Sequence, residues 1–167
     1  LTWRKPGTGV IGIFAGYGTG SHVDFDPQYG AWIGLEGQMF FNEVTLYAQA
    51  AMLDISDPND DGLNESAYLV RGVGRYFFTD NCKVEVELAR VDGDEFDGSD
   101  VEGTEWGLSV QGRLTDCPVY GTLAYRGGEY DDVDDEQADV RMLTIGISVL
   151  FGTESLKAND RDGVSLD

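Results

Sequence analysis

The chain has 167 residues, of which 41% are hydrophobic and 25% charged, and its 31 acidic and 11 basic residues give a formal net charge of −20. This charge excludes a nucleic-acid-binding protein, because phosphate contacts need a basic surface. The hydrophobic fraction is too high for a disordered chain, and no apolar run approaches the ~20 residues of a membrane-spanning helix.

Alternation of apolar and polar residues with period two predicts eight β-strands. In chain order they cover Thr8–Gly18, Tyr29–Phe40, Val44–Leu53, Ser66–Phe78, Cys82–Val91, Gly103–Leu114, Cys117–Arg126 and Val140–Phe151. Short links at 41–43, 79–81 and 115–116 alternate with long connections. This order predicts an up-and-down β-barrel in residues 1–151, followed by a short C-terminal tail, residues 152–167.

The long connections carry the whole excess of negative charge. Residues 18–28, 54–65, 92–102 and 128–139 contain 20 of the 31 acidic residues and no lysine or arginine. They are rich in Gly, Asp, Asn and Ser, which are typical of loops. In an up-and-down barrel these acidic loops gather at one end, and the short turns and both termini gather at the other.

Each predicted strand has one uninterrupted apolar face, which either fills a soluble lipid-binding barrel or contacts lipid around an outer-membrane barrel. Aromatic residues cluster at both ends of the strands, and short turns alternate with long loops. Tyr68 and Phe78 are ten residues apart, roughly 33 Å along a strand and roughly 25 Å after a 40° tilt. This height matches the apolar band of an outer-membrane barrel, and we therefore favour that interpretation.

The opposite face is mixed and nearly neutral, as a narrow interior requires, because unpaired buried charge is costly. An eight-stranded barrel has an interior just wide enough for side chains to fill. We expect its charged residues to pair with one another and to plug the barrel. They are Glu36, Arg71, Arg75, Lys83, Glu85, Glu87, Glu105, Arg113 and Arg126.

The last predicted strand resembles the β-signal that the outer-membrane assembly machinery recognises, with Thr144, Gly146, Val149 and Phe151 at the polar, glycine and two apolar positions. Together with the eight-strand plan, the chain resembles the small OmpA/OmpX-type barrels, although residues 152–167 follow the terminal phenylalanine. The resemblance implies a closed eight-stranded antiparallel up-and-down transmembrane β-barrel. It also implies a monomer in the bacterial outer membrane, with extracellular loops, a periplasmic tail and contacts to lipid and lipopolysaccharide.

One stretch of the second acidic segment resembles the opening of a calcium loop. Asp57, Asn59 and Asp61 precede Gly62 at the expected alternate positions. The twelfth position is Tyr68 instead of the usual Glu, and Glu65 stands as a substitute. Calcium is the one cofactor that the sequence suggests.

Three smaller features complete the candidate sites. Arg90 and Arg141 have the parity of the lipid-facing side near the loops, where they either contact lipopolysaccharide phosphates or neutralise neighbouring acids. Cys82 and Cys117 lie beside short turns on the same side, and an oxidising periplasm favours a disulfide between them. His22 beside Ser21 is the single candidate for a catalytic base.

Taken together, the residues predict a protein that is not an enzyme, with a structural or surface-recognition role and an extracellular or periplasmic protein partner. The alternatives are a narrow pore or small-solute transporter, an outer-membrane hydrolase that uses His22, and a soluble lipid-binding barrel.

Overall fold

Nine antiparallel strands form one sheet in chain order in the computed structural model, which describes residues 1–5, 7–22, 25–56, 64–94, 100–131 and 137–162. The strands are Thr2–Lys5 (β1), Gly9–His22 (β2), Phe25–Phe41 (β3), Val44–Ser56 (β4), Asn64–Thr79 (β5), Cys82–Asp94 (β6), Asp100–Arg113 (β7), Val119–Asp131 (β8) and Gln137–Val149 (β9). A short helix, Leu156–Asp162 (α1), follows them.

Strands β2 to β9 correspond to the eight predicted strands, but several extend further toward the loops. β8 continues to Asp131, and β7 begins at Asp100. Asp92 pairs with Glu102, and Glu129 pairs with Thr104, so part of the acidic sequence belongs to hydrogen-bonded hairpin arms. A composition typical of loops therefore locates the acidic segments, but the strands continue several residues into them.

The sheet differs from the predicted closed eight-stranded barrel in two respects. The additional strand β1 pairs with Gly9–Gly12 of β2 across a turn in which Gly7 has a φ of +72°. Within the described residues the sheet is open, because β9 is hydrogen-bonded to β8 and to no strand on its other side. β1 takes the turn-side edge of β2, which a closing strand would otherwise use.

The apolar side chains point outward. Leu35 is 59% exposed, Val70 61%, Leu88 61% and Ile145 79%, whereas Arg75 on the opposite face is 3% exposed. This is the orientation of the membrane-barrel interpretation and the reverse of a soluble lipid-binding barrel. We call the side of the sheet that carries Arg75 the inner face.

Aromatic side chains frame the outer face at two levels. On the loop side the rings of Tyr17 and Tyr29 stack at 6.1 Å, and Trp106 meets Tyr125 edge to face at 5.3 Å. On the turn side Phe78 is 62% exposed and Phe151 87% exposed. Two such girdles flank the apolar band of outer-membrane barrels.

The hydrophobic core lies on the inner face, toward the turns. One cluster joins Val10, Phe40, Tyr47 and Val73, and a second joins Phe77 and Tyr120 to Leu156 of α1. Apolar and charged residues therefore interleave on the inner face, since Arg75 lies between Val73 and Phe77 along β5. Among the described residues, no helix is long and apolar enough to cross a membrane.

Candidate functional site

An ion-pair network occupies the inner face of β5 and β6. The Arg75 Nε donates to Glu85 Oε2 at 2.7 Å, and the Lys83 Nζ donates to the same oxygen at 3.1 Å. Arg75 and Glu85 face each other in the strand register, so the antiparallel pairing itself brings the two side chains together. The carboxylate is held between two cations, as a poorly solvated charge requires.

A second group of ion pairs lies further toward the loops. Arg71 Nε donates to Glu87 Oε1 at 2.5 Å, and Arg126 Nη2 lies 3.3 Å from Glu87 Oε2. Arg126 belongs to β8 and Glu87 to β6, so this pair crosses the intervening strand β7. The crossing takes place over Gly107, where an added Cβ would lie 3.3 Å from Arg126 Cγ. A larger residue at this position would push the arginine away from its partner.

Tyr47 connects the two groups. Its ring lies 5.5 Å from the Arg71 guanidinium carbon and 5.8 Å from that of Arg75. Its hydroxyl donates to Glu36 Oε2 at 3.0 Å. Cation–π contacts of this kind are strongest where water is excluded, and Tyr47 is 4% exposed.

The C-terminal segment folds back across the turn end of the inner face. Ser155 caps α1, since its hydroxyl accepts from the Ala158 amide at 3.1 Å. Leu156 is 4% exposed in the cluster with Phe77 and Tyr120. We call residues 153–162 the closing segment. Residues 152–167 were predicted as a tail beyond the barrel, and the described part of them packs against the strands.

Polar contacts attach the closing segment to strands around the sheet. Lys157 Nζ pairs with Glu43 at 2.7 Å, and Arg161 Nη2 donates to the Asn42 carbonyl at 2.6 Å. Arg4 of β1 donates to the Arg161 carbonyl, and Arg113 of β7 donates to the Glu154 carbonyl at 3.1 Å. Glu154 and Arg161 are only seven residues apart, and most of the residues between them belong to a helix that is ~10 Å long. Contacts from β1 to β7 over so short a segment show that the sheet curls around it.

Asp160 is an enclosed charge of the closing segment. Its side chain is 6% exposed, its Oδ1 accepts from Arg75 Nη1 at 2.9 Å, and its Oδ2 accepts from Thr45 Oγ1 at 2.7 Å. The closing segment is thus joined directly to the ion pairs of the inner face.

The loop end of the inner face carries a different contact. The Tyr130 hydroxyl donates to the Glu105 carboxylate, and this hydrogen bond raises the pKa of Tyr130 above its ordinary value because it favours the protonated phenol. Tyr130 lies five residues beyond Tyr125 of the aromatic girdle, on the loop side. Its ring lies over Gly103, where an added Cβ would come within 2.7 Å of it.

The structure brings together most of the charges predicted for the interior. Six of them form the ion pairs described above, whereas Glu36 and Glu105 accept from tyrosines and Arg113 donates to the Tyr120 hydroxyl at 2.9 Å. Sequence reasoning missed Asp160, Thr45 and the two buried tyrosines. The tyrosines had a detectable signal, since Tyr47 and Tyr120 are aromatic residues with the parity of the polar face.

The two arginines of the outer face lie beside acids. Arg90 Nη2 lies 2.6 Å from Glu102 Oε2, and Arg141 Nη2 lies 3.8 Å from Asp139 Oδ2. Both arginines are more than half exposed. The neutralising role is therefore the one that these contacts support, and a lipopolysaccharide contact stays a prediction.

The predicted disulfide is absent, and both Cys82 and Cys117 are free thiols. Cys82 begins β6 and pairs with Gly112 of β7, whereas Cys117 lies in the turn that leads to β8. One strand, β7, therefore separates the two cysteines, and a disulfide would need their turns to lean together until the Cα atoms lie within ~7 Å of each other.

The other predicted sites are described only in part. Asp57, Asn59 and Asp61 lie outside the described residues, as does the side chain of Glu65. The backbones of Ser21 and His22 belong to β2, and their side chains are likewise outside the description. In the parts of the chain that are described, no three His, Cys, Asp or Glu residues cluster as metal ligands. The β-signal residues Thr144, Gly146 and Val149 lie in β9, and Phe151 follows it.

The fold is that of an outer-membrane β-barrel protein, as comparison with solved structures shows. The chain is similar to OmpT (in-vitro folded), an outer membrane protein of Vibrio cholerae, with a TM-score of 0.65 and 13% identity. The similarity covers 84% of this chain and 50% of OmpT, so the chain spans about half the length of that protein. No protein-family model matches the sequence, and no curated protein does.

This comparison corrects one expectation. The sequence predicts that the protein is not an enzyme, and this prediction is wrong because enzymatic activity is not excluded. OmpT shares the barrel fold at 13% identity, and a likeness of this degree establishes a fold without excluding an activity. The shared fold is that of an outer-membrane barrel, and the likeness does not favour the narrower OmpA/OmpX type.

Proposed function

We propose that the protein resides in the bacterial outer membrane as a β-barrel whose turn-side mouth is closed by its own C-terminal segment. The observation that carries the proposal is the division of the two faces. Exposed Leu, Ile and Val side chains cover the outside between two aromatic girdles, while arginine and glutamate pair on the inside. In water such an outer face would be a very large exposed apolar patch, whereas in lipid it is solvated.

A location in the membrane also requires that the sheet close into a barrel. Backbone groups at an open strand edge have no water to bind in the hydrocarbon core, and each one costs several kcal/mol. Among the described residues, β9 has no strand on one edge, and β2 has none from Phe14 toward the loops, beyond its pairing with β1. Pairing of these two edges would complete an eight-stranded barrel of the OmpA/OmpX size, with β1 on its turn side.

The distribution of turns supports an orientation. Short turns lie at one end with the closing segment, and the four acidic connections lie at the other. In outer-membrane barrels short turns are periplasmic and long loops are extracellular. The acidic loops would then form the cell-surface part of the protein, available for recognition of a protein partner and, through Asp57, Asn59, Asp61 and Glu65, for calcium binding.

The C-terminal strand supports a route to the membrane. Thr144, Gly146, Val149 and Phe151 retain the spacing of the β-signal, and Phe151 is 87% exposed at the turn-side end of β9. The outer-membrane assembly machinery is accordingly the partner proposed for folding. The Asp160 and Leu156 contacts disfavour the narrow-pore alternative, because they occupy the turn end of the interior.

Cell fractionation and gel mobility test the proposal together. We expect the protein in the detergent-extracted outer-membrane fraction, and we expect the unheated sample to migrate differently from the boiled one, as closed barrels do. Recovery in the soluble fraction without detergent would contradict the membrane assignment. Membrane recovery without a heat-dependent shift would contradict closure alone.

Calcium binding is tested separately. Millimolar calcium should raise the thermal midpoint and slow proteolysis of the acidic loops in the wild type, and the effect should be lost in Asp57→Asn/Asp61→Asn. Equal responses of wild type and variant would refute a site in this segment.

A further inference from the structure

The Asp160 carboxylate occupies a polar site that the strands build. Thr45 is 0% exposed and Arg75 is 3% exposed, and they supply one hydroxyl and one guanidinium donor to the two carboxylate oxygens. Buried donors of this kind are costly to leave without an acceptor. The two donors that face Asp160 therefore favour an acceptor at this position.

Arg75 is positioned by neighbours that do not belong to the closing segment. Glu85 accepts from its Nε at 2.7 Å, and the Tyr47 ring lies 5.8 Å from its guanidinium carbon. Thr45 pairs with Arg75 in the register of β4 and β5. The pairing of β4 and β5 consequently sets the distance between the Thr45 hydroxyl and the Arg75 guanidinium, whatever occupies the site.

We propose that Thr45 and Arg75 form a carboxylate-binding site inside the barrel, which Asp160 fills in this structure and which accepts a small free monocarboxylate when the Asp160 side chain is absent. Acetate consists of a carboxylate and one attached carbon, which are the atoms of an aspartate side chain. Glu85, adjacent on Arg75, makes the site unfavourable for a second negative charge, so a dianion such as phosphate is disfavoured. The proposal does not depend on the cellular location of the protein.

The other contacts of the closing segment allow a clean test. Leu156 is buried, and Lys157 Nζ pairs with Glu43, so removal of the Asp160 carboxylate leaves several attachments in place. Asp160→Ala should therefore create a vacancy of the size of acetate in a segment that still covers the site. Asp162→Ala, two residues further along the same helix and exposed, is the matched control.

Isothermal titration with sodium acetate, at an ionic strength held constant with sodium chloride, measures the site. We expect acetate to bind Asp160→Ala at least about tenfold more tightly than it binds the wild type or Asp162→Ala, which corresponds to ~1.4 kcal/mol. Adding Thr45→Val to Asp160→Ala should weaken acetate binding, because the hydroxyl donor is lost. Equal acetate binding by the wild type and both single variants would overturn the proposal.

If Asp160→Ala does not fold in sodium chloride, a refolding experiment tests the proposed carboxylate site instead. Refolding of Asp160→Ala from urea is then compared in acetate and in chloride at equal ionic strength. Recovery of the folded protein in acetate alone supports the site, because the added carboxylate replaces the missing one. The same low yield in both salts overturns it.

Discussion

Replacing Glu87 with glutamine preserves the size of the side chain and removes its negative charge. The Arg71 Nε donor, 2.5 Å from Glu87 Oε1 between side chains that are 21% and 14% exposed, then faces a neutral amide oxygen, so the ion pair is lost while a hydrogen bond remains. Removing one charge from a buried pair costs ~3–5 kcal/mol and an exposed pair is worth ~0.2–1 kcal/mol, so the cost for this partly sheltered pair lies between the two. The Arg126 contact is longer, at 3.3 Å, and that arginine is 55% exposed, so screening reduces its share to below ~0.5 kcal/mol. We expect a total loss of ~1–2 kcal/mol in the free energy of unfolding.

The matched control is Glu102→Gln on the outer face. The Arg90–Glu102 ion pair is 2.6 Å long, almost the same as the inner pair, but its side chains are 55% and 49% exposed. Exposed pairs of this kind are worth little, and we expect a loss below ~0.5 kcal/mol. Equilibrium urea unfolding in detergent micelles at pH 7, followed by tryptophan fluorescence, measures both variants. Equal losses, or a larger loss for Glu102→Gln, would refute the assignment of Glu87 to a sheltered interior.

Three further predictions address the turns, the closing segment and the loop end. Thiol titration of denatured, unreduced protein should find two free thiols, from Cys82 and Cys117, and finding none would show that they pair. Leu156→Ala should cost ~2–5 kcal/mol of local stability, because it leaves a cavity in a buried cluster, and trypsin should then cleave the closing segment faster, whereas an unchanged rate would contradict its packing. Since Glu105 raises the pKa of Tyr130, the stability of this contact is present below the ordinary tyrosine pKa of ~10 and is lost as the pH rises through the raised value. Absorbance titration at 295 nm should accordingly lose a late-ionising phenol in Tyr130→Phe relative to the wild type, and a Tyr130→Phe curve that lacks only a normally ionising phenol would exclude the contact.

The strands were predictable because their signal is local. Period-two alternation depends on the pleat of each strand alone, and it locates β2 to β9 to within a few residues on the turn side. The strand β1 escaped prediction because Thr2–Lys5 is only four residues long and carries two adjacent basic residues, Arg4 and Lys5. Its strand conformation depends on pairing with Gly9–Gly12 of β2, which no local pattern reveals.

The interior charges were predictable as a set, whereas their pairing was not. Parity assigns Arg71, Arg75, Glu85 and Glu87 to one face, but the pairs follow from the register of β5 and β6, which depends on the turn between them. The link from Glu87 to Arg126 further requires a glycine on the strand that separates them. The disulfide failed although the predicted strand order already placed one strand between Cys82 and Cys117, because whether their turns lean together depends on the tertiary structure.

By itself, the sequence determined an all-β protein with an apolar outer face, a charged inner face and acidic connections at one end, because alternation and charge balance are properties of residues close together in the chain. Only the tertiary structure decided that the sheet has a ninth strand and an open edge, and that Asp160 lies between Thr45 and Arg75. The Asp160 contacts join residues 115 and 85 positions apart in the chain. Contacts over such separations depend on how the sheet curls and where α1 packs, and these are set by the sum of many side-chain contacts across strands.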